Sequence, residues 1–208
     1  MSSLSRRTTI KAWLYAVSIQ YFVVQVVVAL RFSGGYSWAN NTISDLGNTA
    51  CGIYGGRLIC SPLHGFMNAS FILLGLTMAI GSWLFYRQQT QLASRIGFIS
   101  LLIAGLGTIM VGLFPENSIG GLHALGAAMP FIVGNIGLII LGRSLPASKS
   151  FKIYTVTSGV VALVALILFS SQHYSGLGQG GMERLTAYPQ TIWLVIYGIA
   201  SLFGRHPS

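Results

Sequence analysis

Three histidines drawn from separate segments, His64, His123 and His173, stand with the only three carboxylates of the chain, Asp45, Glu116 and Glu183. A catalytic zinc takes three protein ligands and keeps a water in the fourth position. His64, His123 and His173 fit that ligand chemistry for Zn2+, and Asp45, Glu116 or Glu183 could act as base on a water whose pKa the metal lowers to about 7. Serine chemistry is the competing arrangement, with Ser44 or Ser61 as nucleophile and one of the histidines as base; it needs an orienting acid within hydrogen-bond reach. Ser44 and Asp45 are adjacent and so tend to point apart. No His-x-x-x-His or His-Glu-x-x-His spacing occurs, so only the fold could bring these groups together, and a histidine at a helix end also serves simply as an interfacial residue.

Polar residues around these groups supply contacts to a substrate. The run "NNTISDLGN" from Asn40 to Asn48 is the most polar of the chain and contributes Asn41 beside Ser44 and Asp45. Asn68 lies four residues after His64, one turn deeper on the same helix face. Before His123 comes "FPENSIGGL", whose proline and glycines allow a tight turn that aims Glu116 or Asn117 across the site. Glu183 and Arg184 precede the last apolar segment, where Arg184 suits either an anion or an ion pair with one of the acids.

The elements that must hold these residues are transmembrane. The chain of 208 residues is 53% hydrophobic and 7% charged, with a mean hydropathy of +0.69; soluble domains carry about 25% charged residues. Apolar runs at about 12–32, 62–85, 96–114, 122–142, 153–172 and 188–203 are each near the roughly twenty residues that span about 30 Å of hydrocarbon. The expectation is an all-α, single-domain, six-helix transmembrane bundle. Pro189 is expected in the first turn of the last helix, where its missing N–H costs nothing. Trp38, Tyr54, Tyr174, Tyr188 and Trp193 read as an interfacial belt, and Gln20 and Gln25 as buried hydrogen-bonding groups in the first helix.

Orientation follows from the basic residues. Arg6, Arg7, Lys11, Arg87, Arg95, Arg143, Lys149, Lys152 and Arg205 fall on one side, against Arg31, Arg57 and Arg184 on the other. Both termini are therefore expected in the cytoplasm, with a long first extracytoplasmic loop at about 33–61. All three acids and His64, His123 and His173 then face outward. The net charge of +9 flanks apolar segments rather than marking a nucleic-acid surface. Cys51 and Cys60 both lie in the long loop on the expected oxidising side, where a disulfide would pin the loop over the bundle; metal ligation by the pair or free thiols are the other readings.

The segments "NTISDLGN", "SPLHGFMNASFILLGL", "GLFPENSIGGLHALGA" and "GGMERLTAYPQTIW" together resemble the prokaryotic membrane family known as domain of unknown function 998. The resemblance covers about residues 12 to 203 and implies a six-helix membrane fold, carrying over Ser44, Asp45, His64, Asn68, Pro115, His123 and Arg184 without assigning an activity. A looser similarity links the chain to the transmembrane hydrolases that include alkaline ceramidases and adiponectin-type receptors, which also combine Ser, Asp and three His at a membrane surface. Their seventh helix and its His-x-x-x-His pair are absent here.

These readings converge on a membrane-embedded hydrolase or transferase, metal-assisted by zinc, acting on a membrane lipid or lipid-linked substrate at the outer face of a prokaryotic cytoplasmic (inner) membrane. Asp45 is expected to aim at His64, His123, His173 and Arg184. The alternative is a non-catalytic binding, sensor or transport-accessory protein with an outward polar pocket. Polar groups deep in several helices, as a transporter needs, are scarce, and nothing in the pattern sets an oligomeric state.

Overall fold

The computed structural model describes residues 3–203; Arg205 and His206 lie outside the described residues. The chain opens with α1 (Ser3–Ala16), a 3-10 turn at Val17–Ile19 and α2 (Gln20–Ala29), which together form one rod. A short 3-10 turn at Ser44–Gly47 and a hairpin of β1 (Cys51–Tyr54) and β2 (Arg57–Cys60) follow, then α3 (His64–Tyr86) and α4 (Leu92–Leu113). The next rod comprises α5 (Gly120–Ala128), a π-helical turn at Met129–Gly134 and α6 (Asn135–Ser144). The last two rods are α7 (Lys149–Ser170) and α8 (Gly178–Leu202).

Six helical rods therefore form the bundle, and five contain segments long and apolar enough to cross a membrane: Thr9–Ala29, His64–Tyr86, Leu92–Leu113, Gly121–Ser144 and Lys149–Ser170. This is the architecture of a helical membrane protein. The rods adhere through close backbone approach as well as through side-chain packing. A Cβ on Gly105 would fall 2.7 Å from the Gly75 carbonyl oxygen, so α3 and α4 meet at a contact that only small residues permit. Gln20 exchanges hydrogen bonds with Ser70, Nε2 to the Ser70 carbonyl at 3.2 Å and Ser70 Oγ to Oε1 at 2.8 Å, and Tyr188 Oη donates to Gln25 Oε1 at 2.8 Å. Both glutamines thus bond to neighbouring rods, as their types predict.

The sixth rod departs most from the sequence expectation. α8 starts at Gly178, about ten residues before the expected start, and Pro189 sits inside it rather than in its first turn. Its opening turns are polar yet buried: Glu183 and Arg184 are enclosed by the long loop, and Thr186 is buried where Asn135 of α6 donates to its carbonyl. A hydropathy reading sees only the apolar second half. The shift also removes Trp193 from the expected interfacial belt, because it lies mid-helix, fully buried, stacked on Tyr197 at 4.7 Å and donating to Thr155 Oγ1 at 2.9 Å.

The long loop is ordered, with a 3-10 turn and a hairpin instead of a featureless strap. Cys51 and Cys60 are directly opposed in the hairpin register and form a disulfide. Arg184 fastens the earlier part of the loop. Its Nη1 donates to the carbonyls of Trp38 (2.9 Å), Asn41 (3.0 Å) and Gly180 (2.8 Å), its Nη2 donates to Tyr36 Oη, and its guanidinium lies 4.8 Å from the Trp38 ring centre. The Ala39 carbonyl accepts from Gly180 N (2.7 Å) and Gly181 N (3.1 Å), satisfying amides that a helix start leaves unpaired. Gly180 is required here because a Cβ would run into the Asn41 carbonyl.

Candidate functional site

The 3-10 turn at Ser44–Gly47 directs successive side chains in different directions, so Ser44 and Asp45 serve different neighbourhoods. Asp45 is fully buried and turns into the loop. It accepts from Asn41 Nδ2 (2.9 Å), the Thr42 amide (3.0 Å), and Arg57 through Nε (3.2 Å) and Nη2 (3.0 Å). This corrects the expectation that Asp45 aims at the histidines and Arg184. Its cation is Arg57, whose place in a disulfide-closed hairpin brings the guanidinium back over the turn. Asn41 is likewise absorbed, donating to Asp45 and accepting from the Ser37 amide at 3.0 Å.

Ser44 faces the bundle. Its Oγ lies 3.1 Å from His123 Nε2 and 3.3 Å from Glu183 Oε1. His123 is positioned by the first turns of α5, and its Nδ1 lies 2.8 Å from the Phe114 carbonyl. A carbonyl can only accept, so Nδ1 carries a proton, and in the neutral ring Nε2 is left to accept from Ser44. Glu183 is buried in α8 and also accepts the Ile43 amide. The set forms a continuous proton path, with Ser44 as the link between a ring nitrogen and a carboxyl group.

The path borders two cavities. One, of about 50 Å³, lies inside the bundle and is lined by Tyr21, Phe71, Leu74, Met78 and Gln190 along with Ser44 and Glu183. The larger, of about 720 Å³, carries Ser44, Arg57, Glu116, His123, Gln179 and Glu183 on its polar side. Ala127 and Phe131 line both, and Phe131 belongs to the π-helical turn. Such turns are frequent at functional sites.

Arg57 and Gln179 are the residues that the sequence reading left without a role. Arg57 Nη1 donates to Gln179 Oε1 at 2.5 Å, and because the guanidinium only donates, the Gln179 amide nitrogen is its free end. A turn signal, Gly55-Gly56 between two cysteines, marks the hairpin that returns Arg57 toward Asp45. Gln179 carries no comparable signal, since its turn reads as loop.

The other expected site residues are elsewhere or serve packing. His64 Nδ1 is 2.8 Å from the Ser61 carbonyl, and the Ser61 hydroxyl donates to the Leu46 carbonyl at 2.7 Å. Asn68 Nδ2 donates to the Gly47 carbonyl at 2.9 Å, holding the end of the 3-10 turn. His173 is exposed beyond α7, with Nδ1 3.0 Å from the Ser171 carbonyl, and does not line either cavity. The three histidines expected to ligate zinc are thus not gathered. No group of three or more His, Cys, Asp or Glu side chains that could hold a metal ion forms among the described residues. The arrangement does not fit a three-histidine zinc centre, because neither His64 nor His173 lines the cavity that His123 lines.

Glu116 remains at the rim, accepting from Asn48 Nδ2 at 2.9 Å, while its own carbonyl accepts from Tyr54 Oη at 2.7 Å. Burial pushes its carboxyl up to about 8; the Asn48 bond opposes this and the negative charges of Asp45 and Glu183 add to it. A carboxyl raised on folding contributes fully below its unfolded value, and that contribution is lost as pH rises through the folded value. Glu116→Gln, which keeps an acceptor for Asn48, is therefore expected to flatten the fall in thermal stability between about pH 4.5 and 8. Melting curves of the two proteins across that window test it; parallel curves would refute the assignment.

The family model described as protein of unknown function (DUF998) matches residues 16–200. The chain belongs to this family. The match begins at the end of α1, reaches into all six rods and takes in all of the residues around Ser44. No curated protein and no solved structure matches the chain.

Proposed function

We propose that this member of the DUF998 family is a membrane-embedded hydrolase or transferase in which Ser44 is the nucleophile and His123 its base. One observation carries the reading: the Ser44 hydroxyl stands between His123 Nε2 and Glu183 Oε1 at the edge of a cavity large enough for a substrate. Nucleophile and base within hydrogen-bond reach, with the base held by a third group, is the signature of activated serine chemistry. The third group here is the Phe114 carbonyl rather than a carboxylate.

The step on an ester proceeds as follows. Ser44 Oγ bonds to the carbonyl carbon while its proton passes to His123 Nε2. The C–O bond to the leaving alcohol breaks, and His123 returns the proton to that oxygen. Water, or a second alcohol, then attacks the acyl-serine carbonyl carbon as His123 Nε2 accepts its proton. The C–Oγ bond breaks and His123 returns that proton to Ser44 Oγ, giving hydrolysis or transfer with the serine and the neutral ring restored. Ser44 has one proton and two acceptors, so Glu183 sets its direction. When Glu183 holds a proton and donates it to Ser44, the serine proton points at His123. The Gln179 amide nitrogen, held through Arg57 and lining the same cavity as Ser44, is the donor we assign to the developing oxyanion. No step is routed through a metal.

The lysine and arginine asymmetry supports placing the termini in the cytoplasm and the site at the outer face of a prokaryotic cytoplasmic membrane, with a lipid or lipid-linked substrate. The direct test is intact-mass and peptide analysis after exposure of the purified protein to an ethyl fluorophosphonate. A single adduct on Ser44, absent in Ser44→Ala, is expected. A folded wild type that takes no adduct would overturn the catalytic reading in favour of a binding or sensor pocket.

A further inference from the structure

The larger cavity is not confined to the polar end of the bundle. From Ser44, Arg57, Glu116 and His123 it continues between α5 and α7, where its walls are Ala124, Ala128 and Ile132 on one side and Leu166 and Phe169 on the other. α7 packs closely along α6 and α8 and makes at most slight contact with α5. Ala124, Ile132 and Ser170 are exposed on these facing helices, so the gap is open at the side of the bundle as well as at its end. Both rods belong to the segments that are long and apolar enough to cross a membrane. The side opening therefore meets hydrocarbon, and the end meets the polar rim.

We infer that the cleft between α5 and α7 holds one acyl chain of a membrane lipid, with the lipid's polar linkage at the rim formed by Ser44, His123, Glu183 and Arg57. The inference deepens the hydrolase reading and rests on it for the reacting carbonyl, though not for the chain. The dimensions favour this occupant. From His123 to Ile132 the cleft runs about 13 Å at roughly 1.5 Å per residue. That is about half of the roughly 30 Å hydrocarbon thickness, the depth of one leaflet. Its volume of about 720 Å³ falls within the range of about 300–1,000 Å³ typical of ligand sites, enough for one chain and its linkage. Alanines at 124, 127 and 128 leave the groove floor unfilled, and its deeper lining offers no charged group. A polar ligand entering from water would meet no partner there, whereas an acyl chain arriving from the bilayer would leave one apolar surrounding for another.

The test uses the full chain in nanodiscs containing a phospholipid that carries a photoactivatable diazirine midway along one acyl chain. Adducts are expected to concentrate on residues 124–132 and 166–170. They are expected to persist in Ser44→Ala, which removes the nucleophile and leaves the groove intact. Ala124→Phe and Leu166→Trp, which fill the groove from opposite walls, are each expected to lose most of the adduct while retaining the wild-type melting temperature. Adducts spread evenly over all membrane-facing helices, or unaffected by both variants, would overturn the inference. So would crosslinking of this face to a second copy of the chain. Failure of Ser44 to take the fluorophosphonate, with the photo-adduct still in the cleft, would instead remove the hydrolase reading and keep a lipid-binding one.

Discussion

Alanine at His123 is expected to slow fluorophosphonate labelling of Ser44 by about 10²–10⁴-fold, the usual contribution of a general base. At one factor of ten per 1.36 kcal/mol, this corresponds to about 2.7–5.5 kcal/mol of transition-state stabilisation. The size of the effect follows from what the ring does. Its Nδ1 is tied to Phe114, so Nε2 is left to receive the serine proton, and among the described residues His123 and Glu183 are the only groups hydrogen-bonded to the Ser44 hydroxyl. Glu183 stands on the opposite side at 3.3 Å and is buried, where a full negative charge is costly. Glu183→Gln keeps an acceptor for the Ile43 amide and can donate to Ser44 through its amide nitrogen. It is therefore expected to retain labelling, with a weakened dependence on pH. Equal labelling rates for wild type and His123→Ala, in proteins of equal melting temperature, would refute the dyad.

Much of this site could be read before the fold was known, though not in the combination that the fold makes. His123 and Glu183 stood out because imidazole and carboxyl groups are rare in so apolar a chain, and Ser44 because it adjoins one of those carboxylates. Their convergence did not, since the contacts bridge 79 and 139 residues of separation. Residue types also gave equal weight to His64 and His173, which the structure directs to the carbonyls of their own loops. His123 also has its Nδ1 on a nearby carbonyl; what sets it apart is that its Nε2 meets Ser44 across the fold, and that is a tertiary fact. The rods were legible from hydropathy to within a few residues at most ends. The starts of α1, at Ser3, and of α8 were the exceptions; the first ten residues of α8 are held by burial of polar groups instead of by apolar content.

In the proposed reading the loop presents the nucleophile, and its integrity should depend on one ion pair. Asp45 is fully buried, and the Arg57–Asp45 contact at 3.0 Å is the one salt bridge among the described residues. Arg57→Met retains the apolar stem but leaves the carboxylate buried with only the Asn41 and Thr42 donors. Breaking a buried pair by removing one partner costs about 3–5 kcal/mol. Because the Arg57 side chain is 21% exposed, the lower end, about 3 kcal/mol, is expected here. For a chain of this size that is a fall in melting temperature of about 6–12 °C, at roughly 2–4 °C per kcal/mol. Adding Asp45→Asn, which removes the stranded charge, should recover part of the loss; such non-additivity is the sign of a direct pair. The same variant should slow Ser44 labelling, because the 3-10 turn that presents Ser44 also carries Asp45, and because Gln179 loses the guanidinium that orients it. An Arg57→Met protein that melts with the wild type, or a double variant no more stable than the single one, would show that the disulfide and the Arg184 clamp hold the turn without the ion pair.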